Sequence, residues 1–325
     1  EIPSMSVSRP MPQSLVASLD GRRVGRRGLV LGAAGLVALR AAGGIRLAAA
    51  QDATPAAGAG AATAALPAHA AGWPKFNLNA ATDEQLLGFP GSGDKMLDEF
   101  REYAPYTSIG QFRGEIGKYV SPEDVAAMEA YLFVPVDPNA ADADTLQQLP
   151  GVTKDVADKI VAARPFADAA AFETALAGMV APELAAVAAQ FVGPDAPAVA
   201  MWPKYDLNTA GEDQLKVLPG SGEKMLDEFM EYRPYTTVAQ FRGEIGKYIS
   251  PEDVAKLEAY LYVPVAPNDA DADTLQQLPG VTKDVADQLV AARPYADDAA
   301  FLAELGKLVS PDLAAAAKGF LGSGS

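Results

Sequence analysis

The chain repeats itself, and that repeat limits what it can fold into more than any single motif does. Residues 76–193 superimpose on 205–322 at a constant offset of 129, and the run Gln111-Phe-Arg-Gly-Glu-Ile-Gly-Lys-Tyr119 recurs unchanged from Gln240 to Tyr248. A weaker offset of 60 lies inside each half and brings Asn79 onto Asn139, Leu86 onto Leu146, Pro90 onto Pro150, Pro105 onto Pro165, Phe112 onto Phe172 and Pro122 onto Pro182. The order is therefore A-B-A′-B′, with unit A over residues 73–136, B over 137–193, a linker over 194–201, A′ over 202–265 and B′ over 266–321. Units this short are marginal alone, so they are expected to pack in pairs or on their neighbours.

Every unit carries one Pro-Gly turn: Phe89-Pro90-Gly91-Ser92-Gly93, Leu149-Pro150-Gly151-Val152-Thr153, Leu218-Pro219-Gly220-Ser221-Gly222 and Leu278-Pro279-Gly280-Val281-Thr282. An apolar residue, a proline, a glycine and a helix start describe a tight hairpin between two helices. In unit A, Asn79 and Thr82 are cap candidates, with Gln85 three residues after Thr82 as a capping box. Leu86, Leu87 and Phe89 form the apolar face before the turn, and Met96, Leu97 and Phe100 the face after it. Pro105 ends the second helix, Phe112 and Ile116 mark a third, and Ser121-Pro122-Glu123-Asp124 opens a fourth with cap, proline and acids in sequence. No alternating strand pattern is visible. The expected fold class is all-α, four double-hairpin units arranged as two duplicated halves.

The chain holds no cysteine and a single histidine, His69. Disulfides, thiolate metal sites and His-based catalysis lack their parts, so a non-enzymatic protein without metal or cofactor is expected. Calcium loops are not expected either: Asp142-Ala-Asp144 and Asp269-Ala-Asp271-Ala-Asp273 read as caps of the helices that follow. Residues 1–50 read as an export signal peptide of the twin-arginine (Tat) kind. Arg22-Arg23 and Arg26-Arg27 precede an apolar run from Gly28 to Leu39, and Ala48-Ala49-Ala50 resembles a cleavage site. The run is short for a membrane span. Residues 51–72, rich in Ala, Gly, Thr and Pro, read as a flexible linker. The expected location is periplasmic, extracellular or at the cell envelope, with no membrane span in the mature protein. Removing residues 1–50 takes away seven arginines and two acids, leaving 19 basic against 40 acidic residues, a net of −21. Such a body repels nucleic acid and anionic lipid at long range.

The run Asp206-Leu207-Asn208-Thr209-Ala210, then Leu218-Pro219-Gly220-Ser221-Gly222, then Tyr232-Arg233-Pro234-Tyr235, resembles the tandem helix-hairpin-helix family. It is similar to competence DNA receptors of the ComEA type. Pro234-Tyr235 through Val238, Ile249-Ser250 and Val263 is also similar to the extrinsic photosystem II subunits of the PsbU type. The resemblance covers roughly residues 76–321. It implies DNA binding in one case and protein binding in the other, so it carries the fold further than the function.

In the DNA-binding members, the hairpin amides and the start of the second helix contact phosphate. Glycines allow close approach there, and the helix end favours an anion. Carried over, this points to Gly91, Ser92, Gly93 and Lys95; to Gly220, Ser221, Gly222 and Lys224; and to Gly151, Lys154, Gly280 and Lys283. The A and A′ turns keep both glycines. In the B and B′ turns Thr153 and Thr282 read as caps that occupy the amides. Asp94, Asp155, Glu223 and Asp284 stand beside the four lysines, and no basic stripe emerges. Arg164, Arg233 and Arg293 share one position, filled by Ala104 in the first unit, and are expected to cap second-helix carbonyls. Trp73, Trp202, Tyr106 and Tyr235 are the candidate protein contacts, within an aromatic set that also includes Tyr103, Tyr119, Tyr131, Tyr232, Tyr248, Tyr260 and Tyr262. The expected function is a scaffold or adaptor that contacts a protein partner through repeated units. The alternative is sequence-independent binding of double-stranded DNA outside the cytoplasm. No small-molecule substrate is expected.

Overall fold

The structure, a computed structural model, describes residues 65–322 except Gly220 and Gly222. The expected signal peptide and most of the linker after it lie outside the described residues. Unit A contains α1 (Asp83–Leu87), α2 (Asp94–Glu102), α3 (Ile109–Ile116) and α4 (Pro122–Glu129). Unit B contains α5 (Ala143–Leu146), α6 (Lys154–Ala162), α7 (Ala169–Ala177) and α8 (Pro182–Ala188). A′ repeats the set as α9 (Glu212–Leu215), α10 (Glu223–Glu231), α11 (Val238–Ile245) and α12 (Pro251–Glu258), and B′ as α13 (Ala272–Leu275), α14 (Lys283–Ala291), α15 (Asp298–Leu305) and α16 (Pro311–Ala317).

Local chemistry starts these helices. Thr82 and Ser121 both close capping boxes, with Gln85 and Asp124 answering three residues on. Asp142 and Asp271 accept from the Thr145 and Thr274 amides at 2.7 Å, as the expected caps. Asn79, the other cap candidate, has a different task. Its amide donates to the Tyr106 carbonyl at 2.8 Å and accepts from the Tyr106 N–H at 2.7 Å. Asn139, Asn208 and Asn268 hold Phe166, Tyr235 and Tyr295 in the same two-bond clamp. The clamped residue follows a cis X-Pro bond in every unit.

The chain is not all-α. Four strands, β1 (Ala70–Asn77), β2 (Leu132–Phe133), β3 (Val199–Asp206) and β4 (Leu261–Tyr262), form one sheet in the order β2-β1-β3-β4. The outer pairs are parallel and the central pair is antiparallel, with Trp73 opposite Trp202. The segments expected to be linkers thus supply strand: residues 70–72 belong to β1 and 199–201 to β3. Pro74 and Pro203 argue against central strands in the sequence, because proline cannot donate to a ladder. Here they cost nothing in pairing. Phe76 N–H donates to Tyr131 O and Leu78 N–H to Phe133 O, both on the β2 side. By the two-residue period the Pro74 nitrogen faces that same edge, before the parallel pairing begins at Phe76. Tyr205 and Leu207 place Pro203 the same way beside β4.

The β1–β3 ladder relates the two halves by a pseudo-twofold axis at the tryptophan pair. Side chains then cross between halves. Trp73 packs edge-on against Phe320 of B′, and Trp202 against Phe191 of B. Gln85 of A donates to Asp312 of B′ at 3.1 Å. Within each half, the buried Thr145 and Thr274 hydroxyls accept from the Ile109 and Val238 amides at 3.0 Å and tie A to B and A′ to B′. One hydrophobic cluster runs through all four units, from Ala71 to Phe320.

Candidate functional site

The hairpins of B, B′ and A fall into two physical classes. In B and B′ the turn is closed from both sides. Gly151 and Gly280 are buried with φ of +80°. A side chain on Gly280 would sit 2.8 Å from Leu313 Cδ1, so both the backbone angle and the packing require glycine there. The Gly151 N–H donates to the Tyr260 hydroxyl at 3.2 Å, and the Gly280 N–H to the Tyr131 hydroxyl at 3.1 Å. Each tyrosine comes from the opposite half. Thr153 and Thr282 accept from the Val156 and Val285 amides, as the sequence suggested. Lys154 and Lys283 turn back onto Asp158 and Asp287 at 2.8 and 2.6 Å. The glycine amides of these turns are bonded inside the fold, and both lysines are paired with a carboxylate of their own helix.

The turn of unit A is open. Gly91, with φ of +87°, and Gly93 are exposed, and a side chain on Gly93 would meet nothing within 4 Å. Gly93 caps α2 with no side-chain bond. Ser92 folds its hydroxyl onto the Phe89 carbonyl at 2.6 Å, and Ser221 does the same to Leu218 at 2.9 Å. Lys95 is exposed and has no carboxylate within ion-pair distance among the described residues. Gly220, Gly222 and the Lys224 side chain lie outside what is described.

Charge around the hairpins is mostly neutralised. Arg113 grips Glu129 with two bonds of 2.7 and 2.8 Å, which raises its pKa, and Arg242 grips Glu258 likewise. Lys118 pairs with Glu115 and Lys247 with Glu244. Among the described residues, Lys95, Lys159 and Lys318 are the exposed cations left without a carboxylate partner. Arg164 and Arg293 donate to the carbonyls of Pro138 and Ala141, and of Pro267 and Ala270, while Arg233 reaches Ala210. These carbonyls precede the first helix of each unit. The expected capping of the second helix is therefore corrected, because the guanidinium turns back across the unit. Unit A solves the same problem from a different position: Ala104 leaves the carbonyl of Ala81 open, and Arg101 donates to it at 2.7 Å from one turn earlier in α2. The position equivalent to Arg101 in A′ is Met230.

The four aromatic candidates for protein contact are all buried: Trp73 and Trp202 at 8% exposure, Tyr106 at 2% and Tyr235 at 1%. The tryptophan N–H groups donate to Ala130 and Ala259 at 2.8 and 2.9 Å. The exposed members of the aromatic set are Tyr119 and Tyr248, each at 49%. The Tyr119 hydroxyl lies 3.0 Å from that of Tyr103, and Lys118 sits 5.3 Å above the Tyr103 ring. Tyr248, Tyr232 and Lys247 repeat this arrangement in A′. Hydrogen bonds to Tyr103 and then to Glu99 hold the Tyr119 phenol above its usual range, so it remains neutral. Sequence spacing carried a signal for this exposure. Phe112 and Ile116 already supply the inward face of α3, and Tyr119 follows its end.

The helix-hairpin-helix motif family matches residues 133–177, from the end of β2 through α7. The match thus falls on unit B, whose turn is one of the two closed by a tyrosine. No curated protein and no solved structure matches the chain. No helix among the described residues is long and apolar enough to cross a membrane, and no three or more His, Cys, Asp or Glu side chains there are grouped so that they could hold a metal ion.

Proposed function

We propose that this chain is a non-enzymatic helix-hairpin-helix binding protein, an exported adaptor that offers two copies of its A-type face to a protein partner. One observation carries this reading: the Gly151 and Gly280 amides of the B and B′ hairpins are bonded inside the fold, whereas Tyr119 and Tyr248 stand exposed at equivalent places in the two halves. A half-exposed tyrosine whose hydroxyl is already placed offers apolar area at low entropic cost. Two such faces on one body allow bivalent attachment, in which the second contact forms at high effective concentration. The Arg-rich leader, its apolar run and the Ala/Gly/Pro tether support export. The closed turns and internally paired cations favour the protein-binding side of the family resemblance, the PsbU-like one.

DNA binding is the second reading, favoured by the open Gly91–Gly93 turn, the uncapped start of α2 and the unpaired Lys95. A capture experiment distinguishes them. Immobilised full-length protein would be incubated with a nuclease-treated envelope extract, alongside Tyr119→Ser/Tyr248→Ser and Lys95→Glu variants. The adaptor reading expects a specific protein retained by wild type and Lys95→Glu and lost from the tyrosine double variant. Retention that ignores both tyrosines, or that vanishes on nuclease treatment, contradicts it.

A further inference from the structure

The pseudo-twofold axis carries an unusual concentration of positive charge for so acidic a protein. A cavity of about 750 Å³ opens there, between the turn of unit B and helix α12, and is lined by Trp73, Lys75, Trp202, Lys204, Lys256 and Tyr260 among others. Lys154 also borders it, so four ammonium groups face one carboxylate, Asp253. The outer two are balanced: Lys154 by Asp158, and Lys256 by Glu252 and Asp253 at 3.2 and 3.0 Å. The inner two, Lys75 and Lys204, have no carboxylate within ion-pair distance among the described residues. Each donates to a carbonyl at the end of a helix, Lys75 to Glu129 at 2.6 Å and Lys204 to Glu258 at 2.9 Å. Each also sits over the tryptophan of the other half, at 5.3 and 4.6 Å from the ring centre.

Capping a helix end uses one of the three donors of an ammonium group. Helix capping alone does not account for placing two such groups on one half-buried axis, where desolvation pushes both down to about 8. An acceptor that bridges them would offset the lost hydration and satisfy the remaining donors. The indole and phenol rings around the lysines offer flat apolar walls, and the volume falls within the range of small-ligand sites. The two halves also differ here. Lys256 stands at the mouth in the second half, and the matching position in the first is Ala127. We propose that this cavity binds a small organic anion, a carboxylate or phosphate carried on a flat apolar body, with Lys75 and Lys204 as its counter-charges. The site is separate from Tyr119 and Tyr248 and borders the turn of unit B at Val152, Thr153 and Lys154.

The chain's two tryptophans are Trp73 and Trp202, so intrinsic fluorescence reports on this cavity directly. The full chain would be titrated with benzoate, adenosine monophosphate and inorganic phosphate at constant ionic strength. The proposal expects a saturable fluorescence change with benzoate or the nucleotide in the micromolar to millimolar range. Competition by inorganic phosphate assigns the phosphate headgroup, and its absence assigns the carboxylate. Lys75→Met/Lys204→Met should weaken binding at least about tenfold. Lys256→Ala places the residue of the other half at an exposed position, so it keeps the fold and should weaken binding by a smaller factor. No saturable change with any of the three ligands overturns the proposal. So does unchanged affinity in a folded Lys75→Met/Lys204→Met protein or, if that protein does not fold, in Lys256→Ala.

Discussion

Removing two hydroxyl groups should loosen the whole body. Tyr131 and Tyr260 are buried, and each hydroxyl accepts the amide N–H of a buried glycine in the opposite half. Tyr131→Phe keeps the ring, including its packing 5.0 Å from Trp73, and deletes only the acceptor. The Gly280 N–H would then be buried without a partner, which costs about 1–3 kcal/mol. Tyr260→Phe does the same to Gly151. The two sites share no partner, so the double variant should lose about 2–6 kcal/mol. Urea unfolding followed by tryptophan fluorescence measures this, with an unchanged slope as evidence that compactness is preserved. Faster hydrogen exchange at the Gly151 and Gly280 amides should accompany the loss. Tyr119→Phe, at an exposed ring, is the control and should stay within about 0.5 kcal/mol of wild type. A double variant as stable as wild type, with both amides still protected, would refute the cross-half bond.

Other consequences follow from particular residues. Lys75 and Lys204 titrate near 8 when folded but near their ordinary 10.5 when unfolded, so between those values the unfolded chain binds more protons and stability should rise with pH. Burial moves Tyr131 and Tyr260 up from 10 to about 12, so above pH 10 the sign reverses and stability should fall; denaturation midpoints across pH 7–11.5 should show both limbs, and Lys75→Met/Lys204→Met should flatten the first. Gly280→Ala combines a +80° φ with a contact to Leu313 and should cost about 2 kcal/mol or more, whereas Gly93→Ala, with extended backbone and open space, should cost under about 1 by thermal melting. Arg101→Met should destabilise unit A by about 1 kcal/mol through the freed Ala81 carbonyl. Adding Ala104→Arg, which copies the A′ arrangement, should restore most of that loss; no rescue would mean that the two arginines are not equivalent.

The repeat and the helix caps were readable because both are local. Thr82, Ser121, Asp142 and Thr153 each act within three residues of their own position. The difference between Gly-Ser-Gly and Gly-Val-Thr turns also carried over, since the Thr153 and Thr282 caps follow from the residue types. What failed was non-local. β2 and β4 are two residues long and show no period, and β1 hides behind Gly72, Pro74 and an Ala-rich approach. Its strand character exists only because the second half supplies an antiparallel partner. The tyrosines that close the B turns sit 109 and 149 residues from their glycines, beyond any spacing rule. The same blindness sent the protein-contact expectation to Tyr106 and Tyr235. Their rings fill the core against Phe112 and Phe241, and the exposed Tyr119 and Tyr248 lie at the ends of the repeated nine-residue run.

The adaptor reading is tested most directly by titrating residues 65–325 with duplex DNA at several salt concentrations. With Lys95, Lys159 and Lys318 as the exposed unpaired cations among the described residues, few phosphates can be neutralised, and the logarithmic salt slope should be no steeper than about −3. The account predicts no measurable binding at physiological salt. Tight binding with a slope of about −4 or steeper, abolished by Lys95→Glu with Lys224→Glu, would contradict it and make the A and A′ turns the functional site.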